Sequence, residues 1–211
     1  MGQVIVNKIN QEIVFARINT NDGLQVQNLQ AQNLIIEHLV ICISPSSKNI
    51  WDWINILQGV LQQVLTGQLK INRLVFISST RVYDGIERGI VEASTQAVSH
   101  SHKGKSLLAA EQLIPQLADQ YHILRCSGLY GEGYQKYLAI LSECRKQQTR
   151  FAVSLDEVAE EVVSKIENGN QSSCSLLTDG YCYFEGKKIS MLDAMSLSAQ
   201  HKILRASCTE F

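Results

Sequence analysis

The chain offers few side chains whose type and spacing could do chemistry. Its six cysteines, Cys42, Cys126, Cys144, Cys174, Cys182 and Cys208, are scattered, and no two stand in the C-x-x-C spacing of a zinc centre or a thioredoxin-type pair. They read as reduced thiols, and Cys42 and Cys126, set in apolar runs, as small buried hydrophobes. His100 and His102 are spaced i, i+2, and their neighbourhood supplies no further metal ligands, so loop histidines are the plainer reading. No G-x-G-x-x-G run occurs, Gly2 and Gly23 being isolated. The turn of backbone amides that cradles a dinucleotide pyrophosphate is therefore not written here. Serines stand at the ends of two apolar runs, in Ile43-Ser44-Pro45 and at Ser78-Ser79.

Strands are needed to present those serines. Three short runs rich in β-branched residues, Leu39 to Ile43, Leu74 to Ser78 and Tyr121 to Cys126, read as buried parallel strands. Between the first two, Ile50 to Leu65 puts Ile54, Leu57, Leu61, Val64 and Leu65 on one stripe, with Gly67 as a stop signal. This is an amphipathic crossover helix. A second helical run, Ser106 to Ala118, carries Leu107, Leu108, Ala110, Leu113, Ile114 and Leu117, and Pro115 within it marks a kink or the last turn. Strand alternating with helix predicts an α/β fold, a doubly wound parallel sheet.

The two ends are less regular. Gln3 to Val6 and Glu12 to Ile18 both look extended, yet they stand too close for a parallel pair, which needs a crossover of about a dozen residues. Either they form a hairpin or they are not neighbours. Ser154 with Glu157 predicts a capping box ahead of a helix carrying Val158, Val162, Val163 and Ile166, ending near Asn168 to Asn170. Ser175 to Phe184 alternates enough for one or two short strands, and Ile189 to Ala199 reads as a last helix.

A chain of 211 residues and 23.6 kDa suits one domain, or one domain with a small lobe. Apolar residues are 45% and charged residues 18%, the latter below the roughly 25% of an average globular chain, which argues against disorder. Lys plus Arg is 19 against Asp plus Glu at 20, so there is no electrostatic basis for nucleic acid or an anionic membrane as partner. No run reaches the ~18 apolar residues of a membrane span, and no signal peptide is evident. A cytoplasmic protein is expected.

Two longer runs carry a resemblance. Phe76-Ile77-Ser78-Ser79-Thr80-Arg81-Val82-Tyr83-Asp84-Gly85 closes the second strand and is followed by Val91-Glu92 and Leu107-Leu108-Ala109-Ala110-Glu111-Gln112. Leu124-Arg125-Cys126-Ser127-Gly128-Leu129-Tyr130-Gly131-Glu132-Gly133 closes the third. In this order and at these separations they resemble the NAD-dependent epimerase/dehydratase family, the extended short-chain dehydrogenases/reductases. The likeness is closer to the atypical branch, where the strand after the active-site helix ends in R-x-x-G-[IL]-Y-G-x-G. It covers Leu74 to Gly133, and Ser154 to Val162 is similar to the family's acidic helix start near the substrate lobe.

The resemblance implies a Rossmann-like fold and a chemistry of three groups. A Ser or Thr hydrogen-bonds substrate, a Tyr acts as general acid/base, and a Lys four residues later lowers the Tyr pKa and fixes the nicotinamide ribose. The hydroxyl falls on Ser79, four before Tyr83, and is retained; Tyr83 itself matches a recurrent family tyrosine other than the acid/base one and reads as packing. Laid on without a gap from Val91-Glu92 to Glu111, the pattern puts Lys103 where the Tyr belongs and Leu107 where the Lys belongs. Lys103 would serve as a base only if burial brought its pKa from about 10.4 toward 7. Its flanks, His102, Gly104 and Lys105, read as exposed, and a solvated lysine is the plain alternative. Ser79 and Lys103 are the candidate catalytic residues. By the same resemblance Ile43, Ser44, Pro45, Ser78, Gly128 and Leu129 are candidate cofactor contacts, with ordinary strand-end turns as the alternative.

The family's first strand and glycine turn have no counterpart in the sequence. In the 3-2-1-4-5-6 order that strand is central, so the sheet is expected to be incomplete at the N-terminus. Gln3 to Val6 could take the vacant place, a partner chain or tight dimer could cover it, or the sequence is a truncated version of a longer protein. Losing two or three charge-assisted amide contacts forfeits roughly 3 to 5 kcal/mol, so weak or absent binding of NAD or NADP is expected. The expected organisation is a Rossmann-like core over 1–133 and a small C-terminal substrate-side lobe over 134–211. Expected partners are a small-molecule substrate, neither nucleic acid nor membrane, and, as an option, a homodimer. The function implied is an NAD(P)-dependent epimerase/dehydratase-like protein acting on a nucleotide sugar or other small polar substrate with impaired catalysis. The alternative is a non-catalytic relative serving as a ligand-binding, regulatory or assembly module.

Overall fold

A computed structural model describes residues 34–42, 52–86, 90–131, 150–178, 181–184, 187–190 and 205–206. The expectations for Gln3 to Val6, Glu12 to Ile18 and Ile43-Ser44-Pro45 lie outside these residues. In chain order the elements are β1 (Leu34–Ile41), α1 (Asp52–Leu65), β2 (Leu69–Ser79), a 3-10 turn (Thr80–Tyr83), β3 (Ile90–Val91), α2 (His102–Leu113), a second 3-10 turn (Ile114–Gln116), β4 (Gln120–Cys126), β5 (Gly128–Tyr130), β6 (Arg150–Ser154), α3 (Leu155–Asn168), β7 (Ser173–Leu177), β8 (Tyr181–Phe184), β9 (Lys187–Ser190) and β10 (Arg205–Ala206).

Strands β1, β2, β4 and β7 form one sheet in that spatial order, every neighbouring pair parallel. Helices cover both faces. On one side Leu57 and Val60 of α1 and Leu107 and Ala110 of α2 pack on Leu74 and Phe76; on the other Val158 and Val162 of α3 pack on Val75, Ile77 and Leu124. That double cover is why Leu74 to Ser78 is buried without interruption and why the run is legible as a central strand. The α/β, Rossmann-like parallel sheet expected from the sequence is thus the observed fold.

The lower half of β2 behaves differently. Leu69 and Ile71 join the same core as Leu74 and Phe76, although odd and even positions of a strand point to opposite faces. The alternation changes phase at Asn72 and Arg73, both only partly buried. Strand β1 does the same at Glu37 and His38: Leu34 and Ile36 pack with Leu39 beside that core. The pairing nonetheless holds one register from Leu34↔Leu69 to Ile41↔Phe76. Asn72 Nδ2 donates to Glu37 Oε2 at 2.7 Å where the two changes of phase meet.

Helix α2 begins at His102, ahead of the expected Ser106, because Ser101 caps it, its hydroxyl accepting from the Gly104 amide at 3.1 Å. Gly104 suits this spot, since a Cβ there would fall 2.7 Å from the Arg81 carbonyl. Pro115 lies in the 3-10 turn that ends the helical run. Helix α3 carries the expected capping box: Ser154 Oγ accepts from Glu157 N at 3.0 Å and Glu157 Oε2 accepts from Ser154 N at 3.1 Å. Ser154→Ala is expected to cost about 1 kcal/mol in urea unfolding, with a normal m-value.

Beyond residue 133, β7 joins the main sheet and α3 packs on it, while β6, β8 and β9 form a second sheet with β5, which comes before that residue. One expectation is overturned at the C-terminal end. Ile189 and Ser190 belong to β9 and pair antiparallel with Cys182 and Tyr181, the rest of the expected helix lying outside the described residues. A four-residue run satisfies the periods of helix and strand alike, and the available edge of β8 decides between them. No described helix is long and apolar enough to cross a membrane.

Candidate active site

The carboxyl ends of β2 and β4 lie side by side, Ser79 level with Cys126. In parallel α/β sheets ligands bind beyond these ends. Consecutive strand residues face opposite ways, and Ser78 and Ser79 have different partners. Ser79 is partly buried and caps the 3-10 turn, its hydroxyl oxygen accepting from the Arg81 amide at 3.3 Å. The hydroxyl hydrogen is left to donate. Ser78 is buried and donates to Glu111 Oε1 at 2.6 Å.

Glu111 opens a buried network that sequence reading missed. Arg125 of β4 meets its carboxylate in a fork, Nη2 to Oε2 at 2.7 Å and Nε to Oε1 at 3.1 Å, with the two side chains only 12% and 6% exposed. Arg125 Nη1 also donates to the Tyr83 hydroxyl at 2.5 Å, and its guanidinium lies 5.0 Å from the centre of that ring. Tyr83 passes the chain on, donating to the Glu92 carbonyl at 2.9 Å. Burial opposes the Arg125 charge, yet hydrogen bonds and charge from Glu111 prevail and hold the guanidinium above its ordinary pKa. Burial pushes the Tyr83 phenol up, against the pull of Arg125. A signal was available: Glu111 stands four residues after Leu107 on the apolar face of α2, where an unpaired carboxylate would be costly.

A second hub fixes the entry to α2. Asp84 accepts from Ser99 Oγ at 2.6 Å, from the His100 amide at 2.7 Å and from the Ser101 hydroxyl. Burial works to raise this carboxyl, but the Ser101, Ser99 and His100 hydrogen bonds outweigh it and hold the pKa below the usual value. The first turn of α2 is thereby held at the carboxyl end of β2, against Arg81. Lys103 lies in this turn and is exposed. Leu107, one turn on, is 4% exposed and part of the main core.

Gly128 and Leu129 lie in strand β5 rather than a free loop, paired with Ala152 and Val153 of β6, and Leu129 packs against the core under α3. Ile43, Ser44 and Pro45 are outside the described residues. The structure therefore brings Ser79, Gly128 and Leu129 to one end of the sheet, turns Ser78 inward and leaves Lys103 in solvent. Among the described residues no group of three or more His, Cys, Asp or Glu could hold a metal ion.

Residues 66–160 match the family described as the RmlD substrate binding domain. No curated protein matches the chain. Among solved structures it is similar to MoeE5 in complex with UDP-glucose and NAD (TM-score 0.57, 16% identity, 82% of this chain and 66% of that one). It is also similar to UDP-N-acetylglucosamine 4-epimerase from Bacillus cereus (0.56, 12%, 82% and 67%) and to a dTDP-4-dehydrorhamnose reductase from Clostridium acetobutylicum (0.52, 19%, 82% and 66%). The chain thus spans about two thirds of the length of these solved proteins, and at such identities the likeness shows the fold. The matched segment, 66–160, contains the motif runs that end β2 and β4, and over it the chain is similar to that family.

Proposed function

We propose that this chain is an NAD(P)-dependent epimerase/dehydratase-like protein, acting in the cytoplasm on a nucleotide sugar or other small polar substrate, with impaired catalysis. The observation that carries this reading is Ser79 at the carboxyl end of β2 with a hydroxyl hydrogen to donate, while Leu107 is built into the core. Ser79 can hold a substrate oxygen. Leu107 has no charge to set beside a ribose or a tyrosine, and Lys103 is solvated. A bound nicotinamide would supply hydride transfer, but the described residues do not complete its site: Ser78 is committed to Glu111 and the ribose-binding lysine is absent. Without the acid/base, turnover is lower by about a hundred- to ten-thousand-fold.

The buried Leu107 also favours a second reading, a non-catalytic relative that keeps the cleft for binding, regulation or assembly. Thermal melting separates the two. A rise of several degrees with NAD(H) or NADP(H) and with UDP-glucose, the latter reduced in Ser79→Ala, supports the enzyme-like reading. No shift with any of them overturns it in favour of the non-catalytic relative.

A further inference from the structure

His122, the third residue of β4, takes no part in the site above and is 1% exposed. Val75 of β2 and Ser173 of β7 flank it in the sheet. Its Nδ1 lies 2.9 Å from Ser173 Oγ. Its Nε2 faces the backbone at the end of α3, where a methyl group on Gly169 would collide with both that nitrogen and the Lys165 carbonyl. No hydrogen bond of ordinary geometry reaches Nε2 from the described residues. Gly169 is the residue that ends α3, its amide bonded to the Lys165 carbonyl at 3.2 Å. The imidazole fills the space that the missing Cβ leaves between sheet and helix.

The charges around this wedge are mostly of one sign. Strand β2 brings Arg73, whose guanidinium donates to the Ile166 carbonyl and, at 3.1 and 3.0 Å, to Gln120 Oε1. Helix α3 brings Lys165 and Glu161, which are paired with each other at 3.2 Å. The connection 169–172 and the start of β7 bring serines and amides and no charge. Burial first, then Lys165 and Arg73, hold the imidazole below the ordinary histidine pKa, against the Gly169 backbone and Glu161. At neutral pH it is uncharged and the joint is closed.

We propose that His122 is an acid-sensitive clasp whose protonation undocks the last turn of α3 and strand β7 from the sheet. A proton on this ring puts a charge shut off from water beside Arg73 and the Lys165–Glu161 pair. Opening the 169–173 connection relieves it, and β7, with β4 as its one neighbour among the described residues, can leave without breaking another strand pair. Above the ordinary value of about 6.5 the closed and open forms are both neutral and the joint is at full strength. As pH falls below that value the open form takes up a proton that the closed form refuses, so stability is lost, by up to about tenfold in the opening equilibrium per pH unit.

Hydrogen exchange on the whole chain between pH 7.5 and 5.5, corrected for intrinsic rates, tests this. Segments within 162–178 are expected to lose protection as pH falls while those in β2 and α2 do not, and His122→Gln is expected to abolish the difference. Ser154→Ala is the control: it weakens α3 from its other end and keeps the pH dependence. A joint whose protection ignores pH, or whose pH dependence survives in His122→Gln, overturns the proposal. Should His122→Gln fail to fold, the imidazole of the unaltered chain decides by NMR. A midpoint below 6 that moves the Gly169 and Ser173 amides with it supports the clasp, and an ordinary midpoint near 6.5 removes it.

Discussion

Glu111→Ala is expected to destabilise the chain by about 3–5 kcal/mol, the usual cost of removing one partner of a buried ion pair. The loss has two parts. Arg125, 12% exposed, would keep its charge with the Tyr83 hydroxyl and a distant Ala93 carbonyl as the acceptors left, and the buried Ser78 hydroxyl would lose its acceptor. For a domain of this size each kcal/mol is worth about 2–4 °C in melting temperature, so the shift is easily measured. Pairing the change with Arg125→Met gives the sharper result. If the charges matter to each other, the double variant loses clearly less than the two single losses summed. A loss below about 1 kcal/mol in Glu111→Ala would mean that solvent reaches the pair.

Leu107→Lys is expected to cost several kcal/mol and to leave the chain largely unfolded at 37 °C. It restores the lysine of the family pattern at its place in sequence, yet that place is inside the core with Leu74, Phe76 and Ile114. An ammonium there loses its hydration, and the carboxylate one turn on, Glu111, is already engaged by Arg125 and Ser78. Leu107→Met, which conserves volume, should cost under about 1.5 kcal/mol. Circular dichroism melts of the two variants test the point together. Were the lysine variant as stable as the methionine one, position 107 would open onto the cleft, and the contrast between Ser79 and Leu107 drawn above would fail.

Much of the fold was legible where burial made the sequence monotonous. Leu74 to Ser78 reads as a strand because helices cover both its faces. The stretch Leu69 to Asn72 does not, since Lys70 interrupts it and the change of phase at Asn72 and Arg73 breaks the period of two. The start of α2 was hidden because Lys103, Gly104 and Lys105 mask the helical stripe, and Ser101 becomes a cap only when its hydroxyl meets the Gly104 amide. At the site, Ser79 was visible in its motif. The inward commitment of Ser78 was not, because it depends on Glu111, a partner on another element, and the motif runs contain both residues without saying that they touch.

The matched change of phase in β1 and β2 limits how this sheet can be edited. Delete one residue near Asn72, and β2 straightens but becomes a rung shorter than β1, so the upper or lower part of the ladder must give up its partners. Delete one residue from each strand at the same level, and both straighten with every rung preserved. Changes of length here are therefore expected to be tolerated only as a couple, although the two positions stand far apart along the chain.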